Sequence, residues 1–277
     1  MIRQNPFSLY DFLGYFIPGA LLFYLILFID YVENLSENFE LKNFIALNSD
    51  FHLDKVLFFV ILSYSLGHLL NFISSITIER YANWKYNYPS KYLLGFNYSG
   101  FWDYKSKRGI VWRISLILIM FPVTVLDLVL GELLGFKNFY TRKLDKFLID
   151  LITLKGQKLF NRLADGQLNG YDKIKVRDYD FHRIITHYTF EHSKNHQFKM
   201  VNYVVLYGFL RTLTLITTIL IWYILCTQFS ELGNLTIITI LFLLSLIAYV
   251  FFMAFMKFYR RYTLEGLMLI AINEDLK

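Results

Sequence analysis

The stretch NYVVLYGFLRTLTLITTILIWYILC, residues 202 to 226, decides what kind of chain this is. It is long and apolar enough to cross a bilayer core, which needs about 20 mostly apolar residues in a helix. Yet Arg211 sits inside it. Three further stretches meet the same criterion, roughly 12 to 31, 56 to 78 and 235 to 256. Their apolar residues fall on both parities without regularly spaced turns, which excludes the alternation of barrel strands. The chain of 277 residues is 56% hydrophobic and 19% aromatic, with only 18% charged residues, too apolar for a soluble domain of its size. The sequence therefore predicts an all-α polytopic membrane protein with four transmembrane helices. Asp11 interrupts the basic-then-apolar order of a signal peptide, so the first span reads as retained.

A fifth apolar run, IVWRISLILIMFPVTVLDLVLGELLGF from 110 to 136, carries Arg113, Pro122, Asp127 and Glu132. Loop charges test whether it crosses. Residues 31 to 54 hold five acids and one base, whereas 79 to 109 hold six bases and two acids, and 137 to 202 hold thirteen bases and seven acids. Basic loops stay on the cytoplasmic side. Both flanks of the fifth run then lie inside, as do the two termini. The run is expected to be a re-entrant or interfacial helix pair broken at Pro122, with Asp127 and Glu132 facing water or protein. A complete fifth crossing is the alternative. The expected location is a bacterial inner membrane.

These boundaries divide the chain into a first helix pair with a basic loop (1-109), the re-entrant segment (110-136), a cytoplasmic helical region (137-202), and a second helix pair with a cytoplasmic C-terminal helix (203-277). In the third region, Leu144, Leu148, Leu151 and Leu154 recur at helical spacing, and Phe160 and Leu163 resume it after Gly156. DGQLNGYD, 165 to 172, is a turn signal. The segment after it is expected to run as one long helix into the third span, and the fourth span to continue past Lys257.

With the third span running outward, Arg211 lies about two turns inside its cytoplasmic end, where it can snorkel toward the headgroups beside Tyr203 and Tyr207; with His68 and Asn71 it is also a candidate channel-lining or helix-packing polar group. In the second span, His68 and Asn71 stand three apart on one helical face and suit either an aqueous path or an interhelical bond. Gly67, Ser63 and Ser65 permit close helix approach. Pro18 and Gly19 are candidates for a hinge in the first span. Of the six histidines, His182, His187, His192 and His196 cluster, but the five-residue step from His182 to His187 turns about 140° around a helix. One helix cannot aim all four at one ion, and no metal site is expected.

Motifs for nucleotide hydrolysis, dinucleotide binding and esterase chemistry are absent. Neither enzymatic activity nor a cofactor is expected. The basic stretch Lys173, Lys175, Arg177 and Arg183, interleaved with Tyr171, Tyr179 and Phe181, combines phosphate-pairing charge with stacking rings, and equally suits a face against anionic lipid.

The opening SLYDFLGYFIPGALLFY together with YVVLYGFLRTLTLI resembles membrane effectors of bacterial antiphage defence operons, the Hailong type most nearly. The resemblance covers the two ends better than the middle. It implies a homo-oligomeric, tetrameric ion channel controlled by a nucleotide or oligonucleotide from a partner nucleotidyltransferase, which would dissipate the membrane potential. It carries no ligand residues over. A non-conducting scaffold or sensor that recruits a soluble partner, and a small transporter, are the other classes the sequence accommodates.

Overall fold

A computed structural model describes residues 11–34, 40–48, 52–96, 107–163 and 181–276. Among them there is no strand, and four helices are long and apolar enough to span a membrane. The first is α1 (Phe12–Glu33), whose first turn, Phe12–Phe16, is π-helical. A short α2 (Leu41–Asn48) precedes α3 (Leu53–Ser74), which passes through a π-helical turn, Ser75–Glu79, into α4 (Arg80–Tyr86). Asn87, at φ 71°, ends that run, and Pro89 opens α5 (Pro89–Tyr92). The expected bent pair is present: α6 (Lys107–Ile119) and α7 (Phe121–Leu126) meet at 85°, and α7 runs on as a π-helical stretch, Asp127–Leu133. Then come α8 (Asn138–Thr141), α9 (Lys146–Leu163), α10 (Phe181–His192), α11 (Lys194–Thr227) and α12 (Leu235–Ile272).

The antiparallel pair α11 and α12 forms the axis of the bundle. Half of the apolar window of α11 is buried inside the protein, against 17% for the other three spanning helices. In lipid, helices associate through packing and internal hydrogen bonds rather than the hydrophobic effect, and α11 answers both needs. Its buried Thr212, Thr214 and Thr218 donate to the carbonyls of Gly208, Leu210 and Thr214 on their own helix, so the hydroxyls enter the core already satisfied. The Tyr207 ring packs 5.1 Å from that of Tyr259 and 5.9 Å from that of Tyr262. One core gathers Tyr81, Met120, Ile216, Tyr249, Phe252 and Phe255. A second, at the far end of α12, gathers Leu93, Leu94, Ile152, Phe181, Leu267 and Ile270.

Helices α1 and α3 meet backbone to backbone. A side chain on Gly19 would overlap the Ser63 carbonyl, and one on Gly67 would overlap the Tyr15 carbonyl. Gly19 and Pro18 are both buried against this seam, so Gly19 acts as a packing glycine and Pro18 follows a π turn without opening the helix. Gly67 and Ser63 take the packing role expected of them; Ser65 instead faces outward.

Two local expectations change. The helix leading into the third span is interrupted at Ser193, whose extended backbone (φ −148°, ψ 103°) lets its hydroxyl accept from the His196 amide and start α11 afresh. Helix α9 runs straight through Gly156 and buries Ile152, Lys155 and Leu159, while Leu154 and Leu163 are exposed. By contrast α12 does continue past Lys257, to Ile272. The turn at 165 to 172 lies outside the described residues.

Candidate functional site

Two buried polar clusters and one polar face lie among the spanning helices. The first cluster forms around Arg211. Its guanidinium is 6% exposed and donates Nε to Ser74 Oγ at 3.1 Å, Nη2 to Asn71 Oδ1 at 2.6 Å, and Nη1 to the Glu79 carboxylate. These partners come from α3 and the π turn after it. The side chain thus turns inward to a charge partner instead of snorkelling outward: of the two readings, the helix-packing polar group is the one these contacts fit, and the headgroup anchor is not. Desolvating a guanidinium requires a full set of acceptors, and Arg211 has one for each nitrogen. Tyr203 packs on Phe258, and Tyr207 on Phe255 and Tyr259.

The second cluster forms around Asp127, which is wholly buried. Its Oδ1 accepts from the Tyr140 hydroxyl at 2.9 Å, and its Oδ2 from the Tyr86 hydroxyl at 2.5 Å, with Lys85 Nζ 2.7 Å from the same oxygen. Lys85 also stands 3.4 Å from Glu132. Burial, and then the neighbouring Asp127 charge, push the Tyr140 phenol well above its ordinary pKa, so it stays a neutral donor. Asp127 faces protein, and Glu132 is partly exposed. Nearby, the Arg113 guanidinium lies 4.9 Å over the Trp84 ring. At the break of the bent pair Met120 is buried in the first core, and the Ile119 carbonyl accepts from the exposed Trp222 Nε1 at 2.9 Å. Trp222 is eleven residues beyond Arg211, about 16 Å along the helix.

The polar face is on α3. His68 and Ser65 are exposed, between exposed Leu57, Phe58, Ile61, Leu69 and Phe72. The His68 ring stacks on Tyr15 at 4.0 Å. His68 and Asn71 therefore serve different surroundings: Asn71 is an interhelical partner of Arg211, and His68 looks outward.

Beyond the spans, α9 and α10 fasten to the end of α12. Lys155, almost buried, donates Nζ to the carbonyls of Ala271 and Asn273, both at 2.7 Å, and Asn273 Nδ2 donates to the Tyr188 hydroxyl at 2.7 Å. Beside this joint, an open cleft of about 960 Å³ is lined by Arg162, Arg183, His187, Tyr188 and His192. Of the predicted basic and aromatic patch, Arg183 is in this cleft. Phe181 is not a stacking ring: it is 1% exposed, packed in the second core with Phe96 at 6.2 Å. Tyr171, Lys173, Lys175, Arg177 and Tyr179 lie outside the described residues. The clustered histidines diverge, with His182 against Tyr262, His192 stacked on Tyr188, and His196 3.0 Å from Glu265. Among the described residues, no three His, Cys, Asp or Glu side chains are grouped to hold a metal ion.

Sequence reasoning found Arg211, Asn71 and Asp127 but not Ser74, Glu79, Lys85, Tyr86 or Tyr140. The available signal was the demand that an ionisable side chain at membrane depth have a partner; Glu79 and Lys85, at the end of the second span, were the charges in reach.

No protein-family model, curated protein or solved structure matches this chain.

Proposed function

We propose that the chain is one subunit of a ligand-controlled homo-oligomeric channel or pore in a bacterial inner membrane, with both termini cytoplasmic, and that it acts as a defence effector by collapsing the membrane potential. The observation that carries this reading is the outward face of α3. An imidazole and a serine hydroxyl exposed within a spanning helix are costly against lipid, and such groups face a bundle interior or a water-filled path. The exposed faces of α12 and of the bent pair, among them Ile238, Phe242, Leu243, Val111, Leu118 and Leu128, are mostly apolar and suit lipid or packing, with Thr239 and Glu132 among the exposed polar residues. The α3 face therefore turns toward the oligomer axis, with His68 and Ser65 on the conducting path.

Control follows from the joint at the end of α12. A phosphate-bearing nucleotide or oligonucleotide pairing with Arg183 and the preceding Lys173, Lys175 and Arg177 would act on α10, which is tied through Tyr188 to Asn273. Helix α12 would carry the displacement into the membrane. The two ends of the sequence that resemble antiphage membrane effectors support the assignment to defence.

The test is recording from purified protein in planar bilayers and ion-loaded liposomes, with and without mononucleotides and short oligonucleotides on the cytoplasmic side. Discrete conductance steps are expected, with amplitude altered by His68→Ala and ligand response weakened by Lys173→Glu with Arg177→Glu. Silence under every ligand, from protein shown to be folded and oligomeric, would instead identify a non-conducting scaffold or sensor.

A further inference from the structure

Among the described residues, the Asp127 cluster holds more oxygen ligands than its one paired cation, Lys85, uses. Asp127 and Glu132 together place two carboxylates around the single Lys85 ammonium, leaving one net negative charge among these three groups. The wholly buried Tyr249 hydroxyl lies beside Tyr140 and Gly131, and its contact with the Tyr140 hydroxyl is too loose for a full hydrogen bond. A polar atom that is buried and unsatisfied is costly, on the order of 1 to 3 kcal/mol.

Local backbone geometry explains how the two carboxylates converge. Asp127 and Glu132 are five residues apart, which on an α-helix turns them about 140° away from each other. The stretch Asp127–Leu133 is π-helical, and in that winding residues i and i+5 are neighbours. Gly131 completes the arrangement, because a side chain there would strike the Asp127 carboxylate. A π-helical stretch that aligns two acids on one ammonium is a device that α-helical packing alone would not require.

We propose that Asp127 and Glu132, with the phenol oxygens of Tyr86, Tyr140 and Tyr249, form a binding site for a monovalent alkali cation, and that the Lys85 ammonium is its tethered occupant in the conformation seen here. Carboxylate and phenol oxygens are hard ligands suited to alkali ions. Among the described residues no third acidic or imidazole ligand joins the two carboxylates, which suits a single positive charge better than a divalent metal. Glu132, with a side chain 42% exposed, marks the entry, and Lys85, 12% exposed, closes it. Lys85 is also placed to leave. It is the penultimate residue of α4, two before Asn87, after which Leu93 and Leu94 are locked into the second core against Leu267 and Ile270. A shift of that core draws on α4 and withdraws the ammonium, opening the oxygens to an ion from solution.

The experiment is a melting series on purified full-length protein in detergent, at constant ionic strength, in sodium, potassium or choline chloride. Wild type is expected to melt at the same temperature in all three. Lys85→Met is expected to gain a saturable rise in sodium or potassium over choline, about 3 °C or more once the ion is at ten times its dissociation constant. Asp127→Asn added to Lys85→Met should abolish the rise. Equal melting of Lys85→Met in all three salts overturns the proposal. If Lys85→Met does not fold in choline, recovery of folded protein when sodium or potassium is present during extraction supports the site, and failure in every salt, shared by Lys85→Gln, overturns it. Conduction is not required for either result, so a silent but cation-stabilised variant separates this site from the channel reading.

Discussion

Arg211 and Lys85 are both cations held inside the bundle, yet their surroundings differ. Arg211 reaches from α11 to a serine, an asparagine and a glutamate, and each nitrogen of its planar fork finds an acceptor. Lys85 has a compact ammonium between two carboxylates, with the buried Tyr249 phenol only loosely bonded to Tyr140 close by. One cluster is matched in number and geometry, as a clamp between α3 and α11 requires. The other carries surplus oxygen and a charge imbalance, as a site with an exchangeable occupant requires. A fork is pre-organised for several fixed acceptors, whereas an ammonium on a flexible stem is easily withdrawn.

This contrast is broken or sharpened by four substitutions. The largest effect is expected from Arg211→Met, which strands the partly buried Glu79 and takes the donor from the Asn71 side-chain oxygen, while Ser74 keeps its bond to the Asn71 carbonyl; unfolding in mixed micelles should show a loss of about 3 to 5 kcal/mol. A stable Arg211→Met protein would remove the clamp from the comparison, and Glu79→Gln in the same background should recover part of the loss. Next comes Asp127→Asn, which keeps Glu132 as partner for Lys85 and should cost about 1 to 3 kcal/mol in the same assay. Ser74→Ala removes one neutral acceptor of Arg211 and should lower stability by about 1 kcal/mol. The smallest effect belongs to Glu132→Gln, whose partly exposed carboxylate is surplus to folding; a change within about 0.5 kcal/mol is expected. A loss from Glu132→Gln as large as that from Asp127→Asn would make the second cluster a clamp as well.

Much of this arrangement was legible in the chain. The four apolar runs appear as spanning helices because the thickness of a bilayer fixes how many apolar residues a helix must have, and the segment 110 to 136 is bent because polar residues and Pro122 interrupt it. Arg211 announced itself by its position. Its direction did not: a long side chain near a helix end can reach headgroups or a neighbouring helix, and Glu79, 132 residues away in sequence, settles the choice. Phe181 was read as a stacking ring beside arginines, but an aromatic residue at the start of an amphipathic helix serves a core equally well, and the packing of α5 and α12 gave it one.

The sequence by itself determined the helical class, the four helices long and apolar enough to span a membrane, the break near Pro122 and the continuation of the fourth span. These follow from hydropathy and backbone chemistry acting over one or a few turns. The tertiary structure decided which charges meet, which face of α3 turns outward, and that Asp127 and Glu132 share one ammonium. Those outcomes depend on contacts between segments far apart in the chain and on a π-helical winding stabilised by its surroundings, neither of which leaves a periodic mark in the residues themselves.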